Sequence, residues 1–328
     1  MADYDYGLPE EAIAQQPAEP RDSARLLVAI DPTGMAADHH VRDLPGLLRP
    51  GDLLVVNDTR VIPARLRLRK ATGGAAEVLL LEPVDDRWEA LVRPARRLPP
   101  GTVLFTAGGV AAVEVGERAS DGTTFVRLLV DPATVGELAL PPYLTAALAD
   151  PSRYQTVYAA HPGSVAAPTA GLHLTTSLLD ECRAAGIGVA SLDLTVGLDT
   201  FRPVMVADPA DHRMHSEAYA VPRETWDACR STRERGGRVV AVGTTAVRAL
   251  ESAMQSGRLA GRTDLYIRRG FRFGVVDLLL TNFHLPRSTL LLLLEAFTGD
   301  AWRELYRVAL ARDYRFLSLG DAMLVGPG

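Results

Sequence analysis

The sequence predicts an α/β protein: a layered α/β domain with a mixed sheet formed by both chain ends, plus an inserted small β-barrel domain. Three observations carry that expectation. A length of 328 residues exceeds one ordinary small core and suits two domains, or one large domain with an insertion. From about Leu66 to Leu140 short apolar-polar alternations recur at intervals near 10 residues between Gly and Pro turns, as in a small barrel. Past Pro141-Pro142 longer helical patterns alternate with apolar strands, which is the texture of a layered α/β domain. The expected division is 1–65 with 150–328 for the α/β domain and 66–149 for the barrel.

Taken in order, Arg25 to Arg67 reads as short strands, with Leu53-Leu54-Val55-Val56 a buried run ending at Asn57-Asp58-Thr59, whose side chains favour a turn. The barrel strands are Ala76 to Leu81, Trp88 to Val92, Val110 to Val115 and Thr124 to Val130. Thr176 to Ala185 is a helix closed by Gly186 and followed by a strand from Ile187 to Leu192. Arg223 to Arg235 is a helix closed by Gly236-Gly237, before the strand Arg238 to Val242 and a helix from Ala246 to Met254. Val275 to Leu280 is strand, Thr281 to Pro286 loop, and Ser288 the N-cap of a nearly all-apolar helix, Thr289 to Phe297, buried on every side.

Composition narrows the function classes. Hydrophobic residues make up 47% and charged residues 23%, values of an ordinary globular chain. Met1 to Tyr6 is acidic and aromatic, without the basic and apolar regions of a secretory signal, so a cytoplasmic location is expected. The apolar run Leu290 to Leu294 falls far short of the roughly 18 residues of a membrane span. Cys182 and Cys229 lack metal or redox spacing and read as buried thiols. A net charge of −5 argues against indiscriminate coating of nucleic acid, yet leaves room for local basic patches. Arg65, Arg67, Arg69 and Lys70 form one, Arg93, Arg96 and Arg97 a second, and Arg268, Arg269 and Arg272 a third. Lys70 is the only lysine, so the cations are guanidinium groups suited to forked phosphate contacts or, equally, solvated surface charge.

Three strand-to-helix junctions stand out, because open α/β sheets bind ligands at the carboxyl ends of their strands. Gly163-Ser164-Val165-Ala166-Ala167-Pro168-Thr169-Ala170-Gly171-Leu172-His173 combines small residues with a titratable imidazole ahead of a helix; it is either a ligand loop or a tight packing corner. At Val242-Gly243-Thr244-Thr245 a buried strand turns through glycine into a helix, where hydroxyls and free amides hold a carboxylate or phosphate, or a threonine simply caps the helix. The third, Thr281-Asn282-Phe283-His284-Leu285-Pro286-Arg287-Ser288-Thr289, sets polar groups between two apolar elements, which is costly unless they serve a partner or ligand. Asp211 to Glu217 adds His212 and His215 at a spacing zinc can use, without a further ligand set, so no metal is expected.

Across nearly the whole chain these strings resemble one family. Leu54 to Leu66, Val92 to Arg97, Arg153 to Tyr158, Gly163 to His173, Thr200 to Val204, His212 to Glu217, Ala241 to Glu251, Thr281 to Leu291 and Tyr314 to Met323 are similar to the S-adenosylmethionine:tRNA ribosyltransferase-isomerases of queuosine biosynthesis. The resemblance implies an α/β domain with an inserted barrel. It also implies a reaction: the ribosyl part of S-adenosylmethionine passes to the aminomethyl group of a 7-deazaguanine at the anticodon wobble position of tRNA, giving epoxyqueuosine and releasing adenine and methionine. The sulfonium acidifies the neighbouring C5′ hydrogens, so no cofactor is needed beyond the substrate itself, only a proton acceptor, a donor towards adenine and fixed dipoles.

For site residues the resemblance implies His173 and His284 as acid/base groups. Around the sulfonium nucleoside it places Asn57, Asp58, Arg60, Ser164, Thr169, Gly171, Thr195, Asp199, Thr244, Thr245, Arg248 and Asn282, and on the RNA Arg65, Arg93, Arg96 and Arg97. A monomer without membrane partners is expected. The chain departs from the family pattern at Thr195, where an imidazole is usual, at Asp199 and Leu278, where glycine is usual, and at Arg269-Gly270-Phe271 in place of Pro-Gly-Tyr. Threonine does not exchange a proton near neutral pH, so two rival readings accompany the main one: a divergent paralogue that uses S-adenosylmethionine on a small-molecule acceptor, and a non-catalytic RNA-binding relative.

Overall fold

A computed structural model describes residues 1–31, 35–120, 122–197, 206 and 208–328. The chain runs through β1 (Arg25–Ala29), β2 (Ala37–His40), helix α1 (Leu44–Leu47), β3 (Leu53–Asn57) and β4 (Thr59–Val61). Then come β5 (Arg65–Lys70), β6 (Ala75–Val84), β7 (Arg87–Arg93), β8 (Val103–Phe105), β9 (Ala111–Arg118), β10 (Thr124–Leu128), α2 (Pro132–Val135) and β11 (Gly136–Glu137). The remainder is β12 (His161–Ser164), α3 (Thr176–Ala184), β13 (Gly188–Leu194), β14 (Glu217–Ala220), α4 (Arg223–Glu234), β15 (Val239–Val242), α5 (Thr244–Ser256), β16 (Ala260–Thr263), β17 (Leu278–Asn282), α6 (Thr289–Thr298), α7 (Ala301–Ala311) and β18 (Ala322–Val325).

The run Leu53-Leu54-Val55-Val56 is apolar at every position because β3 is central and covered on both faces. Its alternate side chains enter different cores. Leu53 and Val55 join α4, α5, α6 and α7 on one face, whereas Leu54 and Val56 meet α1 and α3 on the other. The nine-stranded sheet has the order β16-β14-β13-β3-β15-β17-β18-β1-β2. Strands β13, β3, β15 and β17 are mutually parallel, and β18 lies antiparallel to β17 and parallel to β1, so both chain ends build this sheet.

The second sheet is antiparallel, in the order β11-β5-β6-β7-β10-β9-β8, and β8 returns to pair with β5, which closes a barrel. Period-two alternation fills it: Leu66, Leu68, Val78, Leu80, Ala90 and Val92 point inwards, while Arg67 and Arg69 of β5 stay exposed. Cys182 and Cys229 are free and buried, and burial pushes their thiols up to about 11 and about 12. Among the described residues no helix is long and apolar enough to cross a membrane.

Two boundaries differ from expectation for a physical reason. Val275 and Val276 are not in the sheet, because the buried Glu251 carboxylate accepts from the N–H groups of Gly274, Val275 and Val276 at 2.8–3.0 Å. The strand therefore starts at Leu278 and carries Thr281 and Asn282, expected as loop, into pairing with Met323 and Ala322. Ser288 caps α6 as expected, its Oγ accepting from the Leu291 N–H at 3.3 Å.

Candidate active site

Because β13, β3, β15 and β17 are parallel, their carboxyl ends lie along one rim, and the three junctions singled out in the sequence meet there. A narrow cavity of about 50 Å³ lies between the turn Thr169–His173, the start of α5 and the segment after β17. Thr169, Thr244, Thr245, Asn282, His284 and Ser318 supply its polar wall.

Asn282 organises that wall. Its Nδ2 donates to the carbonyl of Leu317 at 3.2 Å, which fixes the amide orientation, and to His173 Nε2 at 3.0 Å; its Oδ1 accepts from Thr169 Oγ1 at 3.1 Å. An accepting Nε2 leaves the His173 proton on Nδ1. Burial, opposed by the nearby Asp321 charge, lowers the His173 imidazole to about 4. His173 sits behind Asn282 and not among the cavity-lining residues. His284 does line the cavity. Its Nε2 lies 3.1 Å from Thr281 Oγ1, its backbone N–H donates to Tyr306 Oη at 2.7 Å, and burial lowers the imidazole to about 3.

At Thr244, Thr245 and Leu290 the narrow cavity adjoins a cleft of about 400 Å³ between the rim and the barrel. Thr195, Arg248 and Glu217 line one side, Leu81, Glu82 and Glu89 the other. Thr195 is gripped through its neighbours. Buried Asn57 donates to the Leu194 carbonyl at 2.9 Å and accepts from the Leu194 N–H at 3.1 Å, while Ser164 Oγ accepts from the Val196 N–H at 2.8 Å. Asn57 and Ser164 therefore shape the wall from behind. Arg248 is committed to Glu217 through an ion pair and to the Leu265 carbonyl at 3.1 Å, and burial lowers its guanidinium to about 10.

Other sequence-selected residues lie elsewhere. Asp58 pairs with His161 Nδ1 at 3.0 Å and raises that imidazole, outside both cavities. Arg60 donates to the Ala159 carbonyl. Gly171 is a packing requirement, since a Cβ there would stand 2.0 Å from Tyr158 Oη; the loop is a packing corner at Gly171 and a cavity wall at Thr169. Asp199 lies outside the described residues. Neither Thr244 nor Thr245 is an N-cap: that position is Gly243, at φ +89, and among the described residues no side chain caps α5. Of the departures, Leu278 is a core residue of β17 and Arg269 pairs with the buried Glu295 at 3.3 Å. His212 packs edge-on against Tyr266, and among the described residues no three His, Cys, Asp or Glu side chains come together as metal ligands.

Through Lys70, at the far end of β5 from Arg65, the first basic group meets the second at one end of the barrel. Lys70 Nζ donates to the Arg97 carbonyl at 3.3 Å, and Arg93, Arg96 and Arg97 are exposed where β7 runs into a short turn; Arg65 is half-buried at the start of β5. Along β7, Ala90 and Val92 point into the barrel, so Glu89, Leu91 and Arg93 share its outer face and connect the cleft to the basic end. The barrel side of the cleft, Glu82 and Glu89 included, escaped the sequence reading. Glu89 alternates with the inward Ala90, but Glu82 has the parity of the inward Val78 and Leu80 and reaches the outer face only through a β-bulge between Leu80 and Glu82; nothing local announces that bulge or says what the outer face meets.

A family model described as "Queuosine biosynthesis protein" matches residues 1–325. Among curated proteins, the S-adenosylmethionine:tRNA ribosyltransferase-isomerase of Symbiobacterium thermophilum is 49% identical over 341 residues, covering 99% of both chains. Its namesake from Thermus thermophilus is 52% identical over 340 residues, covering 98% of each. The crystal structure of S-adenosylmethionine tRNA ribosyltransferase from Thermotoga maritima is similar with a TM-score of 0.58 and 38% identity, covering 98% of this chain and 99% of that one.

Proposed function

The chain belongs to the queuosine biosynthesis protein family, the S-adenosylmethionine:tRNA ribosyltransferase-isomerases, and from that premise we propose that it transfers and isomerises the ribosyl part of S-adenosylmethionine onto tRNA. The acceptor is the aminomethyl group of a 7-deazaguanine in the anticodon region, the product epoxyqueuosine, and adenine and methionine leave. The observation that carries the reading is the continuity of the site: a cleft at the carboxyl rim of a parallel sheet adjoins a polar cavity and opens onto a barrel face that leads to Arg93.

In this scheme S-adenosylmethionine lies in the cleft against Thr195, Thr244, Thr245 and the Arg248–Glu217 pair, and the narrow cavity with Thr169 and Asn282 continues beyond Thr244 and Thr245. His284 is the imidazole on the wall. Burial keeps it neutral and also weakens it as a base, so it suits a proton that the sulfonium has already acidified, and the adjoining hydroxyl of Thr281 holds its ring. His173 acts through Asn282, holding the amide so that its oxygen meets Thr169 and its nitrogen faces inwards. Arg93, Arg96, Arg97 and Arg65 take RNA phosphates, which position the strand while the modified base enters the cleft. Asn57 and Ser164 support the wall, whereas Asp58, Arg60 and Gly171 act at a distance from the nucleoside. The setting is the cytoplasm, and the acting unit a monomer.

The test is incubation with S-adenosylmethionine and tRNA bearing the aminomethyl deazaguanine, followed by measurement of adenine and RNA mass. Adenine release with a mass gain on the RNA is expected. Adenine without RNA modification would instead point to a small-molecule acceptor, and retained RNA without adenine to a binding protein.

A further inference from the structure

Helix α5 starts in an unusual state for a buried helix end. Helix geometry leaves the N–H groups of Thr244, Thr245 and Ala246 without intrahelical acceptors, and among the described residues no side chain caps them, because the N-cap position is Gly243. Such an end carries roughly half a positive charge, concentrated on those amides. Beside them, Thr245 is 8% exposed, and its Oγ1 is buried without a hydrogen-bond partner. Buried hydroxyls without partners are rare in folded proteins and call for a reason, and a ligand's acceptor oxygen is one. Thr245 lines both the narrow cavity and the cleft, and Gly243 clears the approach, its φ of +89 being one that other residues rarely adopt. One turn further on stands the buried guanidinium of Arg248.

We propose that this helix start is the seat of a carboxylate, that of the amino-acid tail of S-adenosylmethionine, held by the Thr245 hydroxyl and the first-turn amides of α5. The assignment rests on the functional reading above and adds a direction to it. The methionyl end lies at Thr244 and Thr245, where the cavities adjoin, and the adenosyl end extends along the cleft, since a space of about 50 Å³ has no room for a nucleoside and one of about 400 Å³ does. An RNA phosphate offers similar acceptor oxygens, so the test separates the two sources.

Calorimetric titration of the full chain with S-adenosylmethionine and with its decarboxylated counterpart, which keeps the sulfonium and the amine, reads the carboxylate alone. The decarboxylated ligand is expected to bind wild type roughly 30-fold or more weakly, as loss of several charge-assisted hydrogen bonds requires. Thr245→Val should weaken S-adenosylmethionine roughly tenfold and leave the decarboxylated ligand unchanged, while Thr245→Ser restores affinity. Both variants should melt like wild type, because the hydroxyl has no internal partner. Equal binding of the two ligands to wild type, or equal weakening of both by Thr245→Val, would overturn the assignment. Weaker tRNA binding in Thr245→Val with S-adenosylmethionine unaffected would give the helix start to a phosphate instead. If wild type bound neither sulfonium ligand, the functional reading itself would fail, a result distinct from all of these.

Discussion

Acidification should destabilise this protein through its two buried imidazoles, well above the pH at which its carboxylates titrate. His173 and His284 are lowered from 6.5 to about 4 and about 3 in the folded chain, both by burial. Between those values and 6.5 the unfolded chain binds more protons than the folded one, so stability rises with pH there and is lost as pH falls below 6.5. Integrating from pH 7 to pH 5 gives a loss of about 2 kcal/mol for each histidine, a large part of the 5–15 kcal/mol that typically holds a protein folded. Asp38 and Asp52 are held below the usual carboxylate range, so their contributions vanish only at lower pH. His161, raised by Asp58, and Asp193, raised by burial, act in the opposite direction. Comparison of wild type with His173→Gln and with His284→Gln cancels both. Urea unfolding at pH 7, 6 and 5, followed by tryptophan fluorescence, should show each variant losing about 2 kcal/mol of the wild-type pH dependence, whatever its stability at pH 7. A variant whose stability falls with acid as steeply as wild type would refute the claim that burial keeps that ring neutral.

Replacing Arg93, Arg96 or Arg97 by Ala should weaken tRNA binding and lower the salt slope of log K by about 1 per arginine, with S-adenosylmethionine affinity unchanged; an unaltered slope would remove that residue from the RNA path. His173→Ala and Asn282→Ala should each reduce adenine release sharply, and the double variant should be little worse than either, because the two act as one unit; additive losses measured in single-turnover assays would separate them. Gly171→Ala forces a Cβ to 2.0 Å from Tyr158 Oη and should cost about 1–3 kcal/mol in thermal or urea unfolding, whereas Gly46→Ala, with nothing within 4 Å, should not.

The fold was legible where local chemistry decides it. The all-apolar β3, the alternating barrel strands and the cap at Ser288 are set by neighbouring residues, and they stand where the sequence predicts. Errors arose where a distant side chain intervenes. Val275 and Val276 look like strand, but Glu251, more than twenty positions earlier, takes their amides. Arg248 and Asn57 have distant partners that no local pattern announces, Glu217 and the Leu194 backbone, and stand at the rim as paired groups. The gathering of Thr169, Thr244, Thr245, Asn282 and His284 was half visible, as three junctions, and needed only parallel strand order to join them. The barrel's share of the cleft depends on how two sheets face each other, and no periodicity encodes that.

Strand β18 is last along the chain yet sits between β17 and β1. A ribosome therefore releases β1 and β2 long before the neighbour that joins them to everything else, and a lone pair of strands is barely stable in water. Final closure must wait for the tail to pair with β17 on one side and to gather β1 and β2 on the other. Nascent chains halted short of Ala322 should expose Leu26 and Leu27 to proteases and chaperones, making the carboxyl-terminal segment the keystone that locks the amino-terminal segment in place.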